Sequence, residues 1–304
     1  MKLINPSFEI IQQEVPTIKL DKDRYILHGE LIEDAKKQIE LAGRICYKSE
    51  DKITEDSYKK FFEMIKSKGH LSVLEHGTIY LKIVVGSPMY DDHYLKKADI
   101  VQIFKKNPYS KVVENREELA YEGISMESIP AFYITTNYRV IEEMFTGGGM
   151  FKTKPSDVFE YLCLPTEHHK KRISVKFTCS RAIAQELTRH RVFSFSMESQ
   201  RYCNYSKGKF NNEITFIQPQ YSINNPKFEK ALQDSEDAYF YLLSTGQTPQ
   251  EAREVLPNAT KTELFMTGYI DDWKDFFKLR IAENAHPEMR RLIVPLQKEF
   301  ENVQ

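Results

Sequence analysis

The chain has 304 residues, of which 41% are hydrophobic and 29% are charged, a composition typical of a globular protein with a sizeable core. Its 43 basic and 44 acidic residues give a formal net charge of −1, which excludes a strong overall attraction to nucleic acid or to an anionic membrane. Any anion-binding site must therefore be local. The amino-terminal segment lacks the apolar core of a signal peptide, and no apolar run approaches about 18 residues, which predicts a cytoplasmic protein.

Two helices and a strand are predicted in the first part of the chain. The segment ELIEDAKKQIELAGRICY (residues 30–47) places apolar residues at helical spacing. A second helix is expected over residues 54–68, because TEDS offers a capping sequence at its start and Gly69 a stop after its end. The segment GTIYLKIVV (residues 77–85) is β-branched and partly alternating, as is typical of a strand.

The stretch 88–172 differs from the rest of the chain in its sequence pattern. It mixes helical segments with the strand-like AFYITTNYRV and the glycine-rich TGGGMFKTKPSD. The glycines at 147–149 have neither the preceding strand nor the lysine of a phosphate-binding loop. We expect an insertion or subdomain packed on the main sheet, and the sequence leaves open whether it caps a site, enlarges a subunit interface or fills space.

The last part of the chain is predicted to alternate between strands and helices. Strands are expected over 172–180 and 213–219, and helices over 225–243, over 261–281 and from about Pro287 onward. In the final helix, Met289 and Leu292 belong to the apolar face, and Pro295 predicts a kink.

The segment LTRHRVFSFSMESQRYCNYS (residues 187–206) concentrates arginines, a histidine and hydroxyls. A helix over RAIAQELTRHR, directly after the strand 172–180, would place Arg181, Gln185 and Arg189 on one face. A helix start at the end of a strand is a favoured position for ligands. Because the planar fork of arginine suits phosphate oxygens and uracil-like carbonyls, the segment predicts a site for a phosphorylated small molecule rather than a hydrolytic triad.

The chain after this helix is expected to be extended. Phe193 and Phe195 alternate with Ser194 and Ser196, which predicts one edge of buried rings and one edge of hydroxyls. His190 lies between two arginines, so like-charge repulsion is expected to keep it neutral. A neutral imidazole would be able to stack on a second ligand or to form a hydrogen bond with it.

Four sequence elements, in order, resemble those of flavin-dependent thymidylate synthases. RHRVFSFSMES is similar to the family signature RHR-x7-S, and the upstream GHLSVLEHGTIYLKI resembles its GH-x-[ST]-x-x-EH element followed by a strand. Downstream, EAREVLPNAT resembles the AR-x-x-LP element, and WKDFFKLR resembles the late arginine-bearing helix, which AHPEMR follows. The resemblance covers roughly residues 25–87 and 172–300.

The resemblance implies a mixed α+β fold with a twisted, largely antiparallel sheet flanked by helices. Residues 1–304 would form one catalytic domain, in which 88–172 are inserted. It further implies a homotetramer with one FAD per subunit, held at the interfaces. The implied reaction is the reductive methylation of dUMP to dTMP, with 5,10-methylenetetrahydrofolate as the carbon donor. FAD would carry the hydride and NADPH would reduce the flavin.

Matching positions imply a nucleotide site built mainly from arginines. Arg280 would activate the pyrimidine by stabilising charge on the ring, and Ser199 would orient dUMP. Further dUMP contacts carried over from the resemblance are Glu186, Arg189, Met197, Glu198, Gln200, Arg201 and Arg253.

The resemblance implies a second set of contacts for the flavin. These residues are His70, Ser72, Glu75, Arg189, His190, Arg191, Met197, Tyr269, Asp271 and Asp275. The chain departs from the family where Ser196 replaces an asparagine found in some members, and where Tyr269, Asp271 and Asp275 replace Asn and Arg residues. Aspartates near a pyrophosphate would repel it unless they face away or bind the ribose.

Three alternatives remain beside this hypothesis. Cys203 could act as a nucleophile if Arg201 and Lys207 lowered the pKa of its thiol, although the resembling family needs no cysteine. A flavoprotein of the same fold could act on another pyrimidine nucleotide. A module that stacks single-stranded nucleic acid on TRHR and the following aromatic residues is disfavoured by the near-neutral charge.

The cysteines show no CxxC pair and no zinc-finger spacing, which predicts reduced and mostly buried thiols. Cys163, His168 and His169 would supply at most three zinc ligands, and adjacent histidines on an extended segment point apart. The sequence therefore predicts no metal site.

Overall fold

The computed structural model describes residues 1–14, 24–86, 93–121, 124–145 and 154–302. In these ranges the strands are β1 (Lys2–Ile4), β2 (Ser7–Ile11), β3 (Thr78–Val84), β4 (Lys111–Tyr121), β5 (Ile124–Asn137), β6 (Arg172–Ser180), β7 (Ser194–Met197), β8 (Thr215–Ile217) and β9 (Lys261–Tyr269). The α-helices are α1 (Arg24–Tyr47), α2 (Ser57–Ser67), α3 (Tyr94–Lys106), α4 (Tyr138–Phe145), α5 (Pro155–Phe159), α6 (Arg181–Leu187), α7 (Pro226–Ser244), α8 (Pro249–Ala252), α9 (Ile270–Arg280) and α10 (Pro287–Phe300).

The chain divides into two compact units. The first unit contains Met1–Ile11, Leu41–Ile53 and Ile173–Gln304, and the second contains Gln12–Glu40 and Thr54–Arg172. The mixed α+β class predicted from the sequence is confirmed. The described strands form three sheets, however, rather than the one sheet that the resemblance implies.

The first unit is built on a four-stranded sheet with the order β2-β6-β9-β7. β2 runs antiparallel to β6, and β7 runs antiparallel to β9. A short parallel pair, β1 with β8, forms a second sheet. Helices α9 and α10 contribute Trp273, Phe276 and Phe300 to a core in which these side chains are at most 1% exposed. The indole nitrogen of Trp273 donates to the carbonyl of Ile173 at 3.1 Å, so its one polar group is satisfied inside the core.

The predicted helix over 261–281 is wrong in its first half. Residues 261–269 form strand β9, and the helix α9 begins only at Ile270. From Thr262 to Tyr269 every residue of β9 is buried, so the strand shows no alternation between an apolar and a polar face. A short, fully buried strand cannot be separated from a buried helix by periodicity alone, which explains the error.

The second unit contains an antiparallel sheet with the order β3-β5-β4. β3 pairs with β5 along its whole length, from Thr78 opposite Asn137 to Val84 opposite Ala131. The longest strand of the segment 88–172 thus pairs with a strand that precedes this segment, and the insertion stays a prediction. The glycines at 147–149 lie outside the described residues.

Most other predicted elements are confirmed, with small shifts of their ends. The strand 172–180 coincides with β6, whereas the strand predicted over 213–219 shortens to the three residues of β8. Asn225 caps α7, its side-chain oxygen accepting from the Phe228 amide, and His286 accepts from the Glu288 amide at the start of α10. Pro295 lies inside α10, and the predicted kink stays a prediction.

All four cysteines carry free thiols, as predicted, and Cys179 and Cys203 are buried. None of the described helices combines the length and the hydropathy that crossing a membrane requires.

Candidate active site

Helix α6 leads from the sheet into the arginine-rich segment. Its first turn is capped by Ser180, whose hydroxyl accepts from the Ile183 amide at 3.3 Å. The helix ends at Leu187, earlier than the predicted helix over RAIAQELTRHR. Arg189 and His190 follow in a turn, in which the His190 amide donates to the Leu187 carbonyl at 3.1 Å. The side chain of Arg189 is therefore not placed by the helical register that the sequence suggested.

Arg280, the last residue of α9, makes three hydrogen bonds with this segment. Its Nε donates to Nε2 of His190 at 2.7 Å, its Nη1 to a carboxylate oxygen of Glu186 at 3.0 Å, and its Nη2 to the Glu186 carbonyl at 2.9 Å. A guanidinium has five N–H donors, so one N–H on each terminal nitrogen of Arg280 remains for a further partner. Residues that are distant in the sequence are thus brought together in one cluster.

His190 is held neutral, as predicted, but for a different reason. Burial, and then the charge of Arg280, lower the pKa of His190 to about 4. The repulsion that the sequence suggested was from its neighbours Arg189 and Arg191, whose side chains are exposed. Because Arg280 can only donate, Nε2 of His190 must be the acceptor, which leaves Nδ1 to carry the proton of the neutral ring.

Aromatic rings support the histidine from the core. The rings of His190 and Phe276 meet edge to face with centroids 4.8 Å apart, and Phe193 meets Trp273 at the same distance. Gly268 on β9 leaves room for Phe193, since a Cβ atom at position 268 would lie 2.3 Å from that ring. The position of the histidine therefore depends on a close approach between β9 and the residue that precedes β7.

The predicted burial of the rings is confirmed for Phe193, which is 5% exposed, but the predicted open edge of hydroxyls is wrong. Ser194 and Ser196 are 5% and 3% exposed, while the ring of Phe195 is only half-buried. β7 is an outer strand of its sheet, and its two serines lie on the more deeply buried face. The hydroxyls of these two serines therefore face the protein interior rather than an open edge.

Several of the predicted arginines remain open to a ligand. Arg189, Arg191 and Arg201 are exposed, and no carboxylate pairs with them in the part of the chain that the structure describes. The guanidinium of Arg201 lies 5.8 Å from the centre of the Tyr202 ring. Arg253 is partly exposed and lies 3.5 Å from the carboxylate of Glu254. These forks offer the donors that phosphate groups prefer.

The loop from Met197 to Arg201 is tied down through its backbone. The amide of Glu198 donates to the Glu263 carbonyl at 2.8 Å, and the amide of Ser199 donates to the Cys46 carbonyl at 3.0 Å. The side chain of Ser199 is half-buried and that of Gln200 is buried. The carboxylate of Glu198 accepts a hydrogen bond from Nζ of Lys261 at 2.9 Å.

Cys203 is not activated by its basic neighbours. Burial, and then the charge of Glu198, raise the pKa of the Cys203 thiol to about 12. The lowering of this pKa by Arg201 and Lys207, which would be needed for a nucleophile, is therefore not found. The sulfur stays protonated near neutral pH, which argues against covalent chemistry at this residue.

The remaining flavin candidates fall into different parts of the molecule. His70, Ser72 and Glu75 belong to the second unit, where Glu75 accepts from Nη1 of Arg139 at 2.6 Å. The other candidates belong to the first unit. Tyr269 is buried, and Asp271 and Asp275 are exposed on α9, each beside a lysine of the same helix: Lys274 at 3.7 Å and Lys278 at 2.8 Å.

Three charged residues that lie near the loop 197–201 were not singled out by the sequence analysis. Lys48, Lys261 and Glu263 lie close together there, at distances of 2.7 Å between Glu263 and each lysine. Two of them are separated by one residue on β9 and so share a face of the strand. The alternation of Lys261 and Glu263 in KTEL indicates such a shared face, but the prediction of a helix over this segment concealed it.

No group of histidines, cysteines and carboxylates among the described residues is placed to hold a metal ion. Cys163 lies 3.6 Å from Nε2 of His169, and this nitrogen is also 3.1 Å from the carbonyl of Leu81. The nearby backbone groups thus satisfy the imidazole, and Nε2 of its neighbour His168 lies instead 3.1 Å from the side-chain Nδ2 of Asn115.

Comparison with known proteins matches residues 30–90 and 164–304 to the family described as "Thymidylate synthase complementing protein". A flavin-dependent thymidylate synthase of Geobacter sulfurreducens is 36% identical over 117 residues, which cover 38% of this chain and 50% of the relative. One from Pyrococcus furiosus is 32% identical over 127 residues, covering 40% and 51%.

The chain thus spans about half the length of the curated relatives it matches. A crystal structure of the UMP/dUMP methylase PolB from Streptomyces cacaoi with bound 5-Br dUMP shares 20% identity, with a TM-score of 0.38 over 43% of this chain and 66% of that one. Residues 91–163 lie outside the family match. The match covers most of the chain, including the arginine-rich segment and Arg280, and the chain therefore belongs to the thymidylate synthase complementing protein family.

Proposed function

We propose that this chain is a flavin-dependent thymidylate synthase that methylates dUMP reductively to dTMP. The observation that carries the proposal is the cluster of Glu186, His190 and Arg280. Arg280 lies 90 and 94 positions from the other two in the sequence, and yet hydrogen bonds of 2.7 and 3.0 Å join the side chains. The cluster combines a fixed cation, a neutral imidazole and exposed arginines nearby, which suits a nucleotide and a second, planar ligand.

Arg280 is the residue that would activate the pyrimidine. Glu186 and His190 fix its guanidinium through Nε and both terminal nitrogens, while one N–H on each terminal nitrogen stays free to meet a carbonyl oxygen or an ionised ring nitrogen. A cation held in place before the reaction stabilises charge that develops on the ring without reorganisation. The partly buried setting strengthens this effect, because water screens it less than at an open surface.

The phosphate of dUMP would be met by arginines outside the cluster. Arg189, Arg201 and Arg253 are the candidates for this contact, and all three are at least partly exposed. Ser199 would orient the nucleotide from the loop whose amide is bonded to the Cys46 carbonyl. Met197, Gln200 and the backbone of this loop complete the proposed set.

The residues present fit an FAD group. Arg189 and Arg191, which precede and follow the neutral His190 in the sequence, expose unpaired guanidinium forks, a donor set suited to pyrophosphate oxygens and an aromatic ring. Asp271 and Asp275 have lysines beside them on α9, which reduces their repulsion of an anion. When bound, FAD would supply the hydride for the reaction. NADPH and 5,10-methylenetetrahydrofolate are proposed as co-substrates.

A homotetramer in the cytoplasm belongs to the same proposal. Val192 and Leu279, which adjoin Arg191 and Arg280 in the sequence, are 60% and 63% exposed. Large apolar side chains beside a charged site are typical of surfaces that a partner covers. We therefore propose that a second subunit covers this edge and completes the site, with His70, Ser72 and Glu75 contributing to the flavin contacts.

Product analysis by mass spectrometry would test the function. The purified protein is incubated with FAD, NADPH, methylenetetrahydrofolate and dUMP, and each component is omitted in turn. We expect dTMP only in the complete mixture. No dTMP from a folded protein that retains flavin would show that the substrate is assigned wrongly, and dTMP formed without flavin would exclude the proposed chemistry.

A further inference from the structure

Behind the loop that contains Ser199 lies a continuous set of ion pairs, which we call the Lys–Glu network. Its residues are Lys48, Glu50, Lys176, Glu198, Lys261 and Glu263, all in the first unit. They come from the segment that follows α1, from β6 and β9, and from the loop itself. None of them except Glu198 was singled out by the sequence.

The pairs connect without a gap. Nζ of Lys261 is 2.9 Å from a carboxylate oxygen of Glu198 and 2.7 Å from one of Glu263. The second oxygen of Glu263 is 2.7 Å from Nζ of Lys48, which in turn is 2.6 Å from Glu50. The carboxylate of Glu198 also accepts from the hydroxyl of Tyr205 at 3.4 Å. Each charge in the middle of the network therefore has a partner on two sides.

The same residues also hold the loop through its backbone. The carbonyl of Glu263 accepts from the amide of Glu198 at 2.8 Å, so that one residue of β9 binds both the backbone and, through Lys261, the side chain of the loop. The carbonyl of Cys46, two positions before Lys48, accepts from the amide of Ser199 at 3.0 Å. Lys48 itself adopts the left-handed conformation, with φ at 47°, which directs the chain out of α1 at this point.

The middle of the network is largely buried, and the network as a whole is balanced in charge. The side chain of Glu198 is 1% exposed, and those of Lys48, Lys261 and Glu263 are between 11% and 15% exposed. Burial opposes the ionisation of Glu263, but Lys261 and Lys48 outweigh it and lower the pKa of this carboxyl to about 2. Loss of one member leaves an opposite charge buried without its partner, so the network resists rearrangement.

We infer that the Lys–Glu network positions the loop from Met197 to Arg201. In it, Lys261 and Glu198 hold Ser199 and Arg201 in place. This inference rests on the proposed function for its effect on dUMP. It gives the buried carboxylate of Glu198 a role other than direct contact with the nucleotide. The lysines act through the loop and are positioning residues rather than catalytic ones.

The decisive variant is Lys261→Met, which keeps the length of the side chain but removes its charge. Lys261→Arg keeps the charge and serves as the rescue. Because the methionine variant leaves Glu198 unpaired, the double variant Lys261→Met/Glu198→Gln removes both charges together and guards against unfolding. Lys230→Met is the matched control, since Lys230 forms a 2.7 Å ion pair with Asp234 on the exposed surface of α7.

Hydrogen exchange on the ligand-free protein is the first measurement, because it does not depend on the function. In Lys261→Met we expect faster exchange in a peptide that contains the amides of Glu198 and Ser199, by about tenfold or more, with unchanged exchange in α10. Lys261→Arg and Lys230→Met should match the unaltered protein. Unchanged exchange of the loop in a folded Lys261→Met variant, or an equal increase in α10, would overturn the inference.

Binding of dUMP, followed by calorimetry, is the second measurement. We expect Lys261→Met to raise the Kd of dUMP, and the KM in turnover, by about tenfold or more, while kcat and flavin content change little. The double variant should resemble Lys261→Met. An unaltered protein that does not bind dUMP would contradict the proposed function, while the exchange data would still decide on the loop. Normal dUMP binding by a Lys261→Met variant with a loosened loop would overturn the positioning role.

Discussion

Two charged regions of the first unit use the same kinds of charge in opposite ways. In the Lys–Glu network, Lys48 and Lys261 share the carboxylate of Glu263 at 2.7 Å each, and little of these side chains is exposed. Around the cluster of Arg280, by contrast, Arg189 and Arg191 are exposed and have no carboxylate partner among the described residues. The central charges of the network thus have partners within the chain. Arg189 and Arg191, which we call the arginine edge, have none among the described residues.

The difference shows how position in the fold decides what a charge does. A buried lysine must be paired, because the cost of removing its charge from water is otherwise not offset. An exposed arginine keeps its charge and its rigid fork of donors available for an anion. Charged residues that are paired inside the protein therefore support a site, and those left open at its edge are the ones that would meet the ligand.

The strongest test of the comparison is Arg280→Ala, since Arg280 is paired inside the protein and also keeps donors for a ligand. It is bonded inside the protein to Glu186 and His190, and it retains two free N–H groups. Steady-state kinetics should show a fall in kcat of about a hundred- to a thousandfold, with FAD still bound. Lys230→Ala, on the exposed surface of α7, should have near-normal activity, and so would Arg280→Ala if its proposed role were wrong.

Removing a charge from the Lys–Glu network should affect the stability of the protein before its activity. For Glu263 the folded-state pKa of about 2 lies below the ordinary 4.5, so its ionisation stabilises the fold above pH 4.5 and this contribution disappears as the pH falls toward 2. Glu263→Gln should lower the free energy of unfolding at neutral pH by on the order of 3 kcal/mol and flatten its change between pH 4.5 and 2. Urea denaturation across this range measures both effects.

The matched control for this experiment is Asp56→Asn, because Asp56 pairs with Lys59 at 2.7 Å on the surface. Water screens such a pair, and little change in stability is expected. Equal effects of the two substitutions would contradict the distinction between the buried and the exposed charges.

The packing of aromatic rings near His190 can be disturbed without changing a charged residue. In Gly268→Ala the new methyl group would meet the ring of Phe193 at 2.3 Å, which forces this ring, and the neighbouring His190, to move. We expect a loss of about 1–3 kcal/mol in the free energy of unfolding, measured by chemical denaturation, together with reduced activity. Gly29→Ala has no neighbouring atom within 4 Å and should be neutral or slightly stabilising. A fully stable Gly268→Ala variant would show that the packing is looser than the structure indicates.

The smallest effect is expected for Cys203→Ala. The thiol is buried and its pKa is raised to about 12, so it takes no part in the proposed reaction. Thermal denaturation should show a loss of about 1 kcal/mol, and turnover should stay within about twofold of that of the unaltered protein. Loss of activity in a folded, flavin-bearing variant would reopen the covalent alternative.

The sequence was sufficient for the elements that have a pattern and an end signal. Strand β6 alternates and ends at Ser180, which also caps α6, so both its limits and the start of α6 could be read directly. The same holds for α7, where Asn225 and the following proline mark the first turn. It was not sufficient for β9, since a strand that is buried on both faces carries no alternation.

The residue types that carry the proposed function are likewise determined by the sequence: the arginines of RHR, the serine of the loop and the late Arg280, in an order that resembles one family. Only the tertiary structure decided which of these charges meet. It placed Arg280 against His190 and Glu186, and it turned Glu198 inward toward Lys261. The physical reason is that hydrogen bonds and burial depend on distances in space, and a linear sequence does not contain the distance between residues that lie far apart along the chain.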